Sequence, residues 1–134
     1  VVQLSLDGLQ PAPYHYELAK KLAPLRDEGI LVMGSGNVVH NLETAVWSAN
    51  AAPYEWATRF NDTVRARLLA GDCAFLTDPE KMGEDAELSI PTPEHYLPLL
   101  YIAALRRAGD EAVFLTDGID LGSISMMGVA YMPR

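Results

Sequence analysis

The chain has 134 residues, 49% of them hydrophobic and 21% charged, which is enough for one compact domain with a core and too little for two. Ten Lys and Arg against 18 Asp and Glu give a formal net charge of -8, which argues against a nucleic-acid partner and an anionic membrane surface. The longest apolar run, residues 96–105, is interrupted by Pro98 and falls well short of the about 20 residues that span a bilayer.

A single cysteine, Cys73, allows no intrachain disulfide and no metal-knuckle spacing, so a reducing, cytoplasmic setting is expected. The opening VVQLSLDG is β-branched and Leu-rich and predicts a buried strand running into a turn at Asp7-Gly8. It shows no initiator Met, basic region or cleavage pattern. No secretory signal is read there, and the expectation is a fragment or one half of a larger fold. After a loop with Pro11 and Pro13, the residues Tyr14, Leu18, Leu22 and Leu25 predict an amphipathic helix that Gly29 ends. Residues 30–33 then predict a short buried strand that delivers the chain to Gly34-Ser35-Gly36. Strand, helix and strand with short links make a βαβ unit, which predicts a parallel sheet.

Residues 53–69 carry Trp56, Phe60, Val64 and Leu68 at every fourth position and predict a second helix. The acidic connection 70–91 has little periodicity and is expected on the surface with some short helical turns. Thr92 reads as an N-cap, with Pro93 at the first helical position and Glu94 in the first turn of a helix running through Leu97, Leu100, Tyr101, Ala104 and Leu105. Gly109 stops it. Residues 112–116 and 123–131 read as two strands joined across Gly118 and Gly122.

Two histidines sit where open α/β sheets put function. His40 lies just beyond the carboxyl end of the strand 30–33, in the crevice where ligands of such sheets gather. A loop histidine can equally cap a backbone carbonyl or face water. His95 falls at the third position of the Thr92-capped helix, where the macrodipole favours the neutral imidazole that a metal needs. Its ring could instead bond back towards Thr92 in imitation of a capping box. Glu94 is a candidate carboxylate ligand, and His15, at a helix start, is a weaker candidate. The Gly34-Ser35-Gly36-Asn37 turn lacks the third glycine of a dinucleotide fingerprint and the lysine of a phosphate loop. Ser35 is not in a nucleophile elbow. A catalytic metal site takes three protein ligands, so a metal reading requires Glu94, His15 or residues beyond this chain.

The strings Gly36-Asn37-Val38-Val39-His40-Asn41-Leu42 and Pro91-Thr92-Pro93-Glu94-His95-Tyr96-Leu97-Pro98 resemble the 4,5-DOPA-type extradiol ring-cleavage dioxygenases, class III catechol-cleaving non-haem iron enzymes. The resemblance extends to Gln3-Leu4-Ser5, Tyr14-His15-Tyr16, Pro53-Tyr54-Glu55-Trp56-Ala57 and Gly122-Ser123-Ile124-Ser125-Met126, and the acidic stretch 71–89 is its least typical part. It implies an α/β fold with a mixed, largely parallel sheet flanked by helices and the site at the carboxyl edge of the strands. Residues 1–134 would be a single domain, the C-terminal half of a protein roughly twice as long. Two further metal-binding histidines would come from the N-terminal half, missing here or carried on another chain. His95 is then a metal ligand, and His40 is either the acid–base residue or a further ligand.

The implied reaction is extradiol cleavage of a DOPA-like catechol with O2 at Fe(II), a site that Zn(II) can also occupy. Such a metal keeps open positions for the catecholate and dioxygen, and a histidine, with an ordinary pKa of about 6.5, can take and return the proton. The alternative is a non-catalytic metal-binding or interaction module on the same scaffold. Metal-assisted hydrolysis, resting on two histidines and Glu94, ranks last.

Overall fold

In the computed structural model, which describes residues 1–133, the first helix, α1 (Ala12–Lys20), is shorter than the leucine spacing predicts. Pro24 explains the stop. It has no N–H to offer the Lys20 carbonyl, and the chain tightens into a 3-10 turn, Ala23–Arg26, instead.

The fourfold stripe does form α2 (Glu55–Ala70), which buries Ala57, Phe60, Asn61, Val64 and Leu68 along one face. Gly71 ends it in the left-handed region at φ 75°, where a side chain would be strained. The acidic connection contains 3-10 turns at Phe75–Thr77 and Pro79–Met82, followed by α3 (Glu84–Ser89). Its short turns match the expectation, and Glu80, Glu84 and Glu87 are exposed. Yet Leu76, Ala86 and Ser89 are buried, so the connection also covers part of the core.

The helix expected from Thr92 is split into a 3-10 turn, Pro93–His95, and α4 (Leu97–Ala104). Pro98 is the cause. It cannot donate to the Glu94 carbonyl, but it is tolerated as the second residue of a fresh helix. Between the two pieces, the buried Tyr96 donates its hydroxyl to the Leu76 carbonyl at 2.9 Å. Phe60, Val64 and Leu68 of α2 share one core with Leu97 and Leu100 of α4, Leu76 and Val39. Each such side chain contributes about 1.5–3 kcal/mol relative to exposure.

Four strands follow Gly109: β1 (Asp110–Thr116), β2 (Ile119–Asp120), β3 (Ile124–Ser125) and β4 (Gly128–Pro133). β1 pairs antiparallel with β4, Val113 opposite Ala130, with an irregularity between Phe114 and Thr116. β2 pairs antiparallel with β3. The run 123–131 is therefore two strands, not one. Cys73 is buried beneath β4, its Sγ 3.8 Å from the Tyr131 hydroxyl, and burial pushes its thiol pKa up.

The combination of helices and strands stands, but the parallel sheet does not. Residues 1–6 and 30–33 enter no ladder, and both ladders among the described residues are antiparallel. A βαβ crossover makes two strands parallel without making them neighbours, and a lone strand has nothing to hold it. Nor are these segments buried as expected, since Leu31 is 79% and Met33 82% exposed. No helix among the described residues is long and apolar enough to cross a membrane.

Candidate functional site

The site is built around residues 36–41, which leave the glycine loop and thread between β3 and the end of α3. The Val39 carbonyl accepts from the Ser125 N–H at 2.9 Å, and His40 bridges antiparallel to Ile124. On the other side the His40 N–H donates to the Ser89 carbonyl at 3.0 Å. Side chains add further ties: Asn37 Nδ2 to the Ser125 carbonyl at 2.7 Å, and Asn41 Nδ2 to the Leu88 carbonyl at 2.8 Å. Behind β3, the Ser125 hydroxyl donates to Asn61 Oδ1 at 2.6 Å, and Asn61 Nδ2 donates to Asp117 at 3.0 Å. Apart from the Ser89 hydroxyl, which is buried without a hydrogen-bond partner among the described residues, the buried polar groups here are satisfied by one another, which fixes the backbone under His40.

The His40 ring is itself held. Residue His40 is only 5% exposed; its Nδ1 lies 2.9 Å from the Asn37 carbonyl oxygen and its Nε2 2.7 Å from that of Thr92. Carbonyls only accept, so a neutral ring donates to one of them and a ring carrying both protons donates to both. In neither case does a nitrogen lone pair point into open space.

His95 faces it, the ring centroids 5.0 Å apart at an interplanar angle of 43°. The structure thus brings together the two histidines singled out from sequence. His95 is exposed, and among the described residues no hydrogen bond holds its ring. Its main chain is seated by the glycine loop: a Cβ on Gly36 would overlap the His95 carbonyl oxygen, and one on Gly34 would lie 2.6 Å from the Pro98 carbonyl oxygen. The glycines serve close approach rather than phosphate binding, a role that only the contact with Pro98 and His95 reveals.

Three local expectations change. Thr92 has the extended backbone of an N-cap but caps nothing; its hydroxyl donates to the Glu94 carboxylate at 2.7 Å. Glu94, not His95, therefore bonds back to Thr92. That hydroxyl first, then the backbone, then the nearness of the His95 and His40 rings hold the Glu94 carboxyl below the usual range. His95 ends a three-residue 3-10 turn, so the argument from the third position of a capped helix lapses.

His15 does not join the pair. It is fully buried, its Nε2 donating to the Asp7 carbonyl at 3.0 Å and its Nδ1 accepting from the Tyr101 hydroxyl at 3.0 Å. It staples the end of the first segment to α1 and α4. Among the described residues, no group of three or more His, Cys, Asp and Glu side chains is gathered for a metal ion. The chain offers His95 as one free imidazole, while the nitrogens of His40 and the carboxylate of Glu94 are already engaged.

No family model matches the chain. It is 46% identical over 131 residues to an Escherichia coli (strain K12) protein named 4,5-DOPA dioxygenase extradiol, covering 96% of this chain and 48% of that protein. A protein of the same name from Beta vulgaris is 32% identical, over 93% of this chain and 46% of its own length. The Portulaca grandiflora protein of that name is 38% identical, over 74% and 36%. Among solved structures, the crystal structure of an uncharacterized Escherichia coli K12 protein matches with a TM-score of 0.85 and 44% identity, covering 93% of this chain and 52% of that one. The chain spans about half the length of the Escherichia coli and Beta vulgaris relatives it matches, consistent with the expected half.

Proposed function

The chain belongs to the 4,5-DOPA extradiol dioxygenase family, and from that premise we propose that it carries an acid–base histidine and one metal-binding histidine of a catechol ring-cleaving site. The observation that carries this reading is the facing pair of imidazoles, one pinned and one free.

On this reading His95 is the ligand, since its exposed ring is free to coordinate. The metal is Fe(II), which Zn(II) can replace by the usual order of affinities. When bound, the metal supplies the path for electrons from the catechol to O2. The remaining ligands come from outside the half matched here.

On the same reading His40 is the acid–base residue, its ring held by the Asn37 and Thr92 carbonyls beside the exposed His95. The Asn37 carbonyl holds the Nδ1 proton and so selects the tautomer. Nε2 exchanges the Thr92 carbonyl for a catechol hydroxyl, takes its proton and returns one as the ring opens. The bonds that fix residues 36–41 keep the imidazole aimed while this happens. The lone buried Cys73 fits a reducing, cytoplasmic setting. One competing reading is a binding module without turnover, since among the described residues no ligand group gathers around His95.

The test is anaerobic Fe(II) loading of the chain, alone and assembled with the complementary half of a relative, followed by L-DOPA and air. Yellow ring-opened product should appear with stoichiometric metal in the assembly. His95→Ala should lower metal content, and His40→Ala should keep metal while reducing turnover about 10²–10⁴-fold. Stoichiometric metal without product would leave the binding module, and product indifferent to both substitutions would reject the assigned roles.

A further inference from the structure

The buried stripe of α2 contains one residue that its pattern does not call for. Ala57, Phe60, Val64 and Leu68 are apolar, but Asn61, only 4% exposed, carries an amide on the same face. A buried amide costs stability unless it is bonded, whereas an apolar side chain there would make no such demand. Asn61 meets the demand on the side of β3. Its Nδ2 donates to Asp117 Oδ1 at 3.0 Å, and its Oδ1 accepts the Ser125 hydroxyl at 2.6 Å. Asp117 is itself held, its Oδ2 in an ion pair 3.0 Å from Arg65 Nε and its Oδ1 accepting from the Gly118 N–H at 2.8 Å.

We propose that Asn61 and Ser125 are positioning residues for His40: held by Asn61 from α2, Ser125 anchors Asn37, so that the Asn37 carbonyl, not that of Thr92, keeps the single proton of the neutral His40 ring. The catalytic meaning of this anchor rests on the acid–base reading of His40, whereas the anchor itself is a property of the ring.

Ser125 is where the line of bonds changes direction. Its side chain faces α2, while its main chain faces residues 37–39: its carbonyl accepts from Asn37 Nδ2 at 2.7 Å, and its N–H donates to the Val39 carbonyl at 2.9 Å. Asn37 in turn presents its carbonyl to His40 Nδ1 at 2.9 Å. A neutral ring has one proton, and the Thr92 carbonyl, 2.7 Å from Nε2, competes for it. The nitrogen without the proton is left with its lone pair against an oxygen, so one carbonyl must give way. Asn37 is tied through Ser125 to α2, whereas Thr92 lies in an exposed segment with its hydroxyl on the equally exposed Glu94. Thr92 is therefore the one that yields. A proton kept on Nδ1 leaves the Nε2 lone pair to take a proton from a hydroxyl.

The test locates the proton by the 15N shifts of the His40 ring in this chain, at a pH well above the ordinary histidine pKa of about 6.5. The parent should carry it on Nδ1. Asn61→Leu removes both amide bonds and should lower the ratio of Nδ1–H to Nε2–H about 2–10-fold, the equivalent of one neutral hydrogen bond, with near-UV circular dichroism unchanged. Asn61→Asp sets two carboxylates together and should also lower the ratio. Adding Asp117→Asn rebuilds both bonds with acid and amide exchanged, and should restore it. A parent ring protonated on Nε2, or a folded Asn61→Leu chain with the parent ratio, would overturn the proposal. Should Asn61→Leu fail to fold, Ser125→Ala decides by the same ratio. The acid–base reading fails separately, if His40→Ala keeps full turnover while the ratio still answers to Asn61.

Discussion

Residues 30–33 and residues 36–41 are separated by a two-glycine turn, yet one stretch is almost without backbone partners and the other is tied on both sides, to Ser89 and to residues 123–125. By composition the first is the better strand. The difference lies in neighbours: residues 36–41 find theirs within the chain, and 30–33 do not. An extended segment is stabilised by what lies beside it, so strand propensity yields a strand only where an edge is available.

The sharpest way to break this contrast is to remove the core under the tied side. Phe60→Ala should cost about 3–5 kcal/mol in urea denaturation, and a loss under about 1 kcal/mol would mean that this region does not hold the fold. Next, Gly36→Ala should cost about 1–3 kcal/mol by forcing a methyl against the His95 carbonyl. It should also shift the His95 ring resonances, while Gly8→Ala, with open space around it, moves neither.

A smaller effect concerns Asp110, whose carboxyl Arg26 holds below the ordinary range through a 2.6 Å ion pair, helped by the Arg107 N–H. A carboxylate depressed by folding adds stability above its unfolded pKa of about 3.9, and that stability is lost as pH falls through the lower folded value. The urea midpoint should therefore drop on acidification below about pH 4, and Arg26→Met should flatten that limb. Smallest of all, Leu31→Ala should change the stability of the isolated chain by less than about 0.5 kcal/mol, because the side chain it removes is already in water.

Much of the site was legible in residue order. The fourfold stripe of α2 needs only local periodicity, and His40 and His95 stand out because histidines are scarce and placed beside loops. What the sequence hid is which of several partners each group takes. Pro24 and Pro98 are visible, but their effect on where helices break is settled by carbonyls four residues earlier. Thr92 could bond to a backbone N–H or to a carboxylate, and the nearby Glu94 wins. Asn61 reads as a polar residue of α2 until β3 brings the Ser125 hydroxyl to it. The parallel sheet failed as an expectation for the same reason that 30–33 is bare: the pattern reports what a segment can pair with, never whether the pair is present.

Cys73 is the chain's one thiol, buried against Tyr131 of β4. A maleimide can alkylate it only while the packing over the thiol has opened, so the labelling rate divided by that of a free cysteine measures how often the region opens. The native molecule thus contains a clock for breathing in this region that requires no introduced dye site.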